Sequence, residues 1–148
     1  MKANSIHILL VEDNEGDIVL ITDAFEEAKI LNTISVVRDG QQALDFLYKK
    51  GEFADVKEPN LIILDVNLPK KNGHEVLKEV KCNKKLCHIP VIMLTTSSSP
   101  NDITTSYKNH VNCYITKPVD VEDFIKVVLS IESFWISIVQ LPEHTNQK

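Results

Sequence analysis

Several features that would signal particular functions are scarce or missing in this sequence. Glycine occurs only 4 times, and no G-x-G-x-x-G run follows the first apolar segment, which excludes dinucleotide binding of the Rossmann kind. The 16 Lys and Arg residues face 21 Asp and Glu, and the net charge of −5 leaves no cationic excess for a nucleic-acid backbone. No apolar run reaches membrane-spanning length, and the first residues lack the pattern of a signal peptide. We therefore predict a cytoplasmic protein that binds neither nucleic acid nor membrane.

Cysteine is also rare, and its pattern argues against a disulfide framework. Cys82, Cys87 and Cys113 are an odd number in a chain without an export signal, so reduced thiols are expected. Zinc binding is the alternative, because Cys82, Cys87 and His88 lie close together in the sequence. No second pair of ligands follows at the spacing of a zinc site, which makes that alternative the weaker one.

Apolar runs and amphipathic segments alternate along the 148 residues, whose 43% hydrophobic content suits one globular domain. Strands are predicted over residues 6–11, 33–37, 61–65, 90–95 and 112–116. Helices are predicted over 16–30, 41–50, 73–81, 101–110 and 120–139, with N-caps at Asp39, Asn72, Ser99 and Asp120. This order implies βαβ units that cross over right-handedly and build a parallel sheet with helices on both faces.

Polar residues follow four of the predicted strands. Glu12 and Asp13 come after the first strand, Asp65 ends the third, Thr95 ends the fourth and Lys117 follows the fifth. Each alone could be a helix cap, a turn residue or a surface charge, but the carboxyl ends of parallel strands share one edge of the sheet. The three carboxylates would repel each other there unless a divalent cation such as Mg²⁺ lay between them.

The motifs at these strand ends resemble those of the receiver domain of two-component response regulators. The acid pair at 12 and 13, the run DVNLPKKNG over 65–73, VIMLTTS around Thr95 and YITKP over 114–118 stand in the order of that family. The resemblance implies an α/β, flavodoxin-like fold: a doubly wound five-stranded parallel sheet of order 2-1-3-4-5 with five helices. It assigns residues 1–142, with an extended last helix, to one receiver domain and 143–148 to a polar tail.

More narrowly, the long loop at 49–60, the LDVNLPKKNG run and the tail IESFWISIVQLP resemble single-domain regulators that pair with bacteriophytochrome-type histidine kinases. The resemblance implies a histidine kinase as one partner and an unidentified protein as the downstream one. Because nothing after the last helix could form an output domain, signalling is expected to occur by protein binding.

The resemblance also gives each acid a role. Asp65 would be the phosphoacceptor, a nucleophile that takes a phosphoryl group from phosphohistidine. Mg²⁺ or Mn²⁺ would be held by Asp13, Asp65 and the backbone carbonyl of Asn67, with Glu12 acting through a water. The side chains of Asn67 and Ser97 are expected to influence the lifetime of the aspartyl phosphate.

Four further residues receive roles from the same resemblance. Lys117 would pair with one phosphoryl oxygen, and the Thr95 hydroxyl would donate to another. Pro118 would follow a cis peptide bond that aims Lys117 into the site. Thr95 would move toward the phosphate while Tyr114 rotates inward, so these two residues form the expected switch.

The same pattern predicts an output surface and a homodimer. The fourth helix contains Thr, Asn and His in place of strong helix formers, and it is equally well explained as a mobile switch element or as a surface helix held by packing. Apolar side chains continue beyond the length that the last helix needs to cover the sheet, which predicts a dimer through the fourth and fifth helices, the fifth strand and the tail. These side chains are Phe134, Trp135, Ile138, Val139 and Leu141.

Two other functions share part of this pattern. Phosphatases of the haloacid dehalogenase type also use a strand-end Asp with Mg²⁺, but they need a second Asp two residues later, where this chain has Asn67. Turnover of an external substrate is therefore not expected. A phosphorylation-independent binding or dimerisation module would have the same fold without the chemistry, yet such modules usually lose the acid pair, the Asp or the Lys.

Overall fold

The computed structural model describes residues 6–27, 32–136 and 139–142. Within them, five strands form one parallel sheet of order β2-β1-β3-β4-β5, which confirms the predicted fold class. The strands are β1 (Ile6–Val11), β2 (Asn32–Val37), β3 (Leu61–Leu64), β4 (Val91–Thr95) and β5 (Cys113–Thr116). The helices are α1 (Glu15–Glu26), α2 (Gly40–Leu47), α3 (Gly73–Cys82), α4 (Pro100–Lys108) and α5 (Val121–Ile131), with a short 3₁₀ turn at Gly51–Phe53.

The sheet divides the core into two halves because successive side chains of each strand point to opposite faces. On one face, Leu9 of β1 packs with Leu77 of α3 and other buried residues of α2 and α3. On the other face, Ile8 packs with Ile21 of α1 and Phe124 of α5. Strands β1, β3 and β4 are therefore covered on both sides, which explains why they appear in the sequence as unbroken apolar runs.

The helix starts agree with the sequence prediction to within one residue, while several helix ends differ. The side chain of each predicted cap accepts a hydrogen bond from a backbone N–H of its helix, as seen at Asp39, Asn72, Ser99 and Asp120. Helix α2 ends at Leu47 instead of residue 50, because Lys49 has a φ of 56° that an α-helix cannot contain. The predicted end of α1 at 28–30 lies outside the described residues. None of the described helices combines the length and the apolar character needed to cross a membrane.

The last helix differs from its prediction as one continuous α-helix over 120–139. It changes at Glu132–Ile136 into a π-helical turn, and the backbone N–H of Val139 donates to the Phe134 carbonyl at 2.9 Å, five residues back. The wider turn brings Trp135 and Ile136 onto the core beside α5, while Phe134 stays 52% exposed. The apolar tail is thus partly core and partly surface. Ile138, a predicted member of that surface, lies outside the described residues.

Candidate functional site

Backbone hydrogen bonds along the sheet bring the predicted site residues to one edge. The N–H of Glu12 donates to the Val37 carbonyl of β2 at 3.1 Å, and the N–H of Asp65 donates to the Val11 carbonyl of β1 at 3.1 Å. The N–H of Lys117 donates to the carbonyl of Thr95, the last residue of β4, at 2.6 Å. The acids and the lysine are therefore positioned by the ends of rigid strands, as the sequence predicts.

The ammonium of Lys117 is the centre of this edge. Its Nζ lies 2.5 Å from Glu12 Oε2, 2.8 Å from Asp17 Oδ2 and 3.3 Å from Asp65 Oδ2. The Lys117 side chain is only 4% exposed, and those of Glu12 and Asp65 are 2% and 7% exposed. A cation this deeply buried is tolerated because carboxylates surround it.

Burial and ion pairing shift the pKa values of the site residues in opposite directions. Burial raises the pKa of Glu12 to about 7, although the hydrogen bond from Lys117 works against that rise. Burial by itself would lower the pKa of Lys117, but its hydrogen bonds to Asp17 and Glu12 and the charge of Asp65 raise it above its ordinary value. The lysine therefore stays charged throughout the physiological pH range.

Three acids at this edge form a group that fits a divalent cation. Glu12, Asp13 and Asp65 each place a carboxylate oxygen within 4.8 Å of the others, and Asp13 is exposed to solvent. The backbone N–H of Asn67 donates to Asp65 Oδ1 at 3.2 Å, which holds the loop after β3 against the same carboxylate. Carboxylate oxygens with access to water suit Mg²⁺ and Mn²⁺.

The zinc alternative finds no comparable group in the described part of the chain. The acids at the sheet edge are the one set of three or more His, Cys, Asp or Glu residues there whose ligand atoms converge. Cys82, Cys87 and Cys113 are free thiols, and His88 Nε2 instead contacts Glu58 Oε2 at 3.1 Å.

Close backbone packing positions Asp65. A Cβ atom on Gly73, the first residue of α3, would lie 2.2 Å from the carbonyl oxygen of Asp65. The Gly73 N–H also donates to the Val66 carbonyl at 2.8 Å. On the other side, a Cβ atom on Gly40, the first residue of α2, would lie 1.9 Å from the carbonyl oxygen of Lys71. Glycine at both positions lets α2 and α3 press directly on the loop that carries the acid.

Ser97 connects the two residues of the expected switch. Its backbone N–H donates to Thr95 Oγ1 at 3.3 Å, and its carbonyl accepts a hydrogen bond of 2.8 Å from the Tyr114 hydroxyl. Its own hydroxyl donates to Asp102 Oδ2 at 2.5 Å, and Asp102 also contacts His74 Nε2 at 2.9 Å. Thr95 is fully buried, while Tyr114 is partly buried against the core beside α3.

The structure differs from the expectation at Pro118. All peptide bonds of the described residues are trans, including the bond between Lys117 and Pro118. The trans form is the intrinsically favoured one, by about 0.5–1 kcal/mol for a bond before proline. Lys117 reaches the site without a cis bond because its backbone N–H is anchored on Thr95 and its ammonium on three carboxylates.

The sequence reasoning missed Asp17 and the pair formed by Asp102 and His74. Asp17 could have been found, because a helix that follows a parallel strand starts at the edge where that strand ends, and Asp17 lies in the first turn of α1. The contact between His74 of α3 and Asp102 of α4 joins residues 28 positions apart, and no sequence pattern announces it.

Comparison with known proteins agrees with this geometry. A family model described as the response regulator receiver domain matches residues 8–129. The response regulator Rcp1 of Synechocystis sp. is 47% identical over 135 residues, which span 91% of this chain and 92% of that protein. The crystal structure of the Mn²⁺-bound form of Rcp1 has a TM-score of 0.92 at 46% identity and covers 93% of this chain and 99% of its own. The crystal structure of the phosphorylated cyanobacterial phytochrome response regulator RcpA has a TM-score of 0.92 at 45% identity. It covers 95% of this chain and 100% of its own.

Proposed function

Since this chain belongs to the response regulator receiver domain family, we propose that Asp65 accepts a phosphoryl group from a phosphohistidine of a partner histidine kinase. The observation that carries the proposal is the placement of Asp65 at the carboxyl end of β3, in the acid group and 3.3 Å from the Lys117 ammonium. Members of this family are phosphorylated on an aspartate, and the similar protein RcpA was crystallised in its phosphorylated form.

In this reaction an oxygen of the Asp65 carboxylate attacks the phosphorus atom. The bond from phosphorus to the imidazole nitrogen of the kinase breaks, and its electron pair stays on that nitrogen. Asp13, Asp65, the backbone carbonyl of Asn67 and the neighbouring Glu12 would hold Mg²⁺ or Mn²⁺, which offsets the negative charge of the two reacting groups. The Mn²⁺-bound structure of Rcp1 supports a divalent cation here.

Lys117 and Thr95 supply the remaining stabilisation. The ammonium of Lys117 pairs with one phosphoryl oxygen, and its burial strengthens that attraction because little water screens it. The Thr95 hydroxyl donates to a second phosphoryl oxygen. No external substrate is turned over, so we regard the protein as a phosphoacceptor that catalyses its own phosphorylation and dephosphorylation.

We further propose that the signal leaves the site through Ser97. When Thr95 moves toward the phosphoryl group, the hydrogen bond from the Ser97 N–H to Thr95 Oγ1 changes. Ser97 carries this change to Tyr114 through its carbonyl and to Asp102 of α4 through its hydroxyl. The surface of α4, β5 and α5 then binds the downstream protein with altered affinity.

The partner kinase in this proposal is a phytochrome-type histidine kinase. The similarity to RcpA, a cyanobacterial phytochrome response regulator, supports this assignment. The free thiols of Cys82, Cys87 and Cys113 support a reducing compartment, and we therefore place the reaction in the cytoplasm.

We also propose that the protein forms a homodimer through the face of β5 and α5. A groove of about 380 Å³ lies on this face. Its lining is mainly apolar and consists of Ile115, Val127, Ile131, Phe134 and Trp135, together with Lys126 and Ser130. Phe134 is 52% exposed and stacks edge-on against Trp135, with ring centroids 5.8 Å apart. A half-exposed aromatic side chain beside an apolar groove is typical of an interface.

The central experiment is intact-mass measurement after incubation with acetyl phosphate and Mg²⁺. We expect the native protein to gain the mass of one phosphoryl group, and Asp65→Asn to gain none because an amide oxygen is not a sufficient nucleophile. Asp55→Asn, which removes an exposed acid outside the site, is the matched control and is expected to react like the native protein.

Chelation of the metal is expected to abolish the reaction of the native protein. Equal labelling of Asp65→Asn would place the phosphoryl group elsewhere and contradict the proposal. If the native protein gained no mass and did not bind beryllofluoride, a phosphoryl analogue, it would be a phosphorylation-independent binding module.

A further inference from the structure

The three N–H donors of the Lys117 ammonium are already matched by three carboxylates. Glu12 and Asp17 lie at 2.5 Å and 2.8 Å from Nζ, whereas Asp65 lies at the longer distance of 3.3 Å. An ammonium has three donors and no acceptor, so a new phosphoryl oxygen must replace one of these partners. The lysine is therefore drawn toward Glu12 and Asp17 and away from the acid that is to be phosphorylated.

Of the two closer partners, Asp17 can be replaced at the lower cost. Its side chain is 24% exposed, so water can solvate the carboxylate when the lysine leaves, whereas the Glu12 side chain is only 2% exposed. Asp17 also stands apart from the three acids that converge as a candidate cation site. It lies in the first turn of α1, where its own N–H is bonded to the Asn14 cap at 2.9 Å, so its backbone position is secured without the lysine.

We propose that Asp17 is a positioning residue for phosphoryl transfer, which holds Lys117 in the unphosphorylated protein and competes with the phosphoryl group for its ammonium. This inference rests on the proposed function. Phosphorylation of Asp65 brings additional negative charge and acceptor oxygens to the site, and Lys117 exchanges Asp17 for one of those oxygens. Asp17 thereby favours the unphosphorylated state and sets how tightly the site binds a phosphoryl group.

The test is the affinity for beryllofluoride in the presence of Mg²⁺, measured by titration in NMR spectra. In Asp17→Asn the competing charge is gone, so we expect the apparent affinity to rise roughly three- to tenfold, the range for loss of one partly exposed charged partner. A residue with a merely structural role would lower the affinity when it is replaced. Asp17→Glu restores the competing carboxylate and is expected to return the affinity to within about twofold of the native value.

Glu15→Gln is the matched control. Glu15 has the same charge in the same turn of α1, but it pairs with Arg38 at the surface and not with Lys117. Its replacement is expected to leave the affinity for beryllofluoride unchanged. If the affinity for beryllofluoride rose equally in Glu15→Gln and Asp17→Asn, the effect would be one of general charge, and the inference would be overturned.

A second measurement uses only the native protein, so it tests the competition by Asp17 even if Asp17→Asn folds poorly. On addition of beryllofluoride to the native protein, the side-chain carboxyl carbon resonance of Asp17 is expected to shift as its contact with Lys117 breaks, while that of Glu15 stays. Two outcomes would refute the proposed competition by Asp17 while leaving the proposed function intact. The native protein could bind beryllofluoride without this shift, or Asp17→Asn could bind beryllofluoride with unchanged or lower affinity. Failure of the native protein to bind at all would refute the proposed function as well.

Discussion

The position of Asp65 depends on Gly73, a neighbouring residue without a side chain. Its carboxylate meets Lys117 only if the backbone of residues 65 and 66 lies where the start of α3 presses on it, and Gly73 makes that approach possible. A Cβ at this position would meet backbone atoms of both residues, at 2.2 Å and 2.8 Å. Backbone atoms cannot rotate away as a flexible side chain can, so the whole loop would have to move.

Gly73→Ala is therefore expected to lower the free energy of unfolding by about 1–3 kcal/mol, the usual cost of overpacking, and to slow labelling by acetyl phosphate because Asp65 is displaced. Urea denaturation and intact mass measure the two effects. Gly16→Ala is the matched control: an added Cβ there meets only the Asn14 side chain, at 3.4 Å. Because Gly16 lies in α1, this change is expected to stabilise the protein by up to about 1 kcal/mol. If Gly73→Ala changed neither the free energy of unfolding nor the rate of labelling, Gly73 would not be needed to position Asp65.

Among the secondary structure elements, α4 is attached in an unusual way. Ser106 is its one buried residue within the described chain, so apolar burial contributes little to holding it. Its first turn is instead held by Asp102, which accepts hydrogen bonds from the Ser97 hydroxyl and from His74 of α3. A helix held mainly by polar contacts can shift without breaking the core, which supports the interpretation of α4 as a mobile switch element.

Asp102→Asn is expected to loosen α4 and to lower the free energy of unfolding by about 1–2 kcal/mol at pH 7, since charge-assisted hydrogen bonds are lost. Hydrogen exchange is expected to accelerate in the amides of α4 and to stay unchanged in α3. Glu122→Gln, an exposed acid in the first turn of α5, is the control.

The same carboxylate makes this effect depend on pH. The hydrogen bonds from Ser97 and then His74 lower the pKa of Asp102 below its ordinary value of 3.8, so the folded protein binds fewer protons there than the unfolded chain. The stabilisation by Asp102 is complete above the pKa of the unfolded chain and is lost as the pH falls through the lower folded value. The stability difference between native protein and Asp102→Asn is thus expected to shrink in denaturation curves below about pH 4. A difference that grew on acidification would contradict this assignment.

For the whole molecule, the sheet is covered by α2 and α3 on one face and by α1 and α5 on the other, and β5 forms one edge. Beside this edge α5 continues into the π-helical turn, whose Trp135 joins the core while Phe134 faces outward. The tail then returns to its own domain, where the Asn60 side chain donates to the Pro142 carbonyl at 3.1 Å. This attachment at Pro142 supports the proposal that the dimer forms through the face of β5 and α5.

The native protein is expected to sediment as a dimer at micromolar concentration, and Phe134→Glu as a monomer, because a carboxylate on each copy would be buried against the apolar groove. Val19→Glu introduces the same charge at a 47% exposed apolar residue of α1 and is expected to stay dimeric. Sedimentation velocity distinguishes these outcomes. If the native protein sedimented as a monomer under these conditions, the result would contradict the proposed dimer.

The amino-acid sequence by itself determined the order of strands and helices, the capping residues and the acids, threonine and lysine at the strand ends. These features are encoded by neighbouring residues, because periodicity and caps act over a few positions and the carboxyl ends of parallel strands always share an edge. Only the tertiary structure decided which groups touch Lys117 and where the last helix changes its winding. The contact between Asp17 and Lys117 spans 100 positions, and it depends on how α1 is set against β5 by the packing of the whole core. The attachment of α4 by His74 and Asp102 depends likewise on a contact between residues that are distant in the sequence. Local sequence patterns do not specify such contacts, because they depend on how distant elements pack: the position of Asp17 in the first turn of α1 indicates only that it lies at the same edge of the sheet.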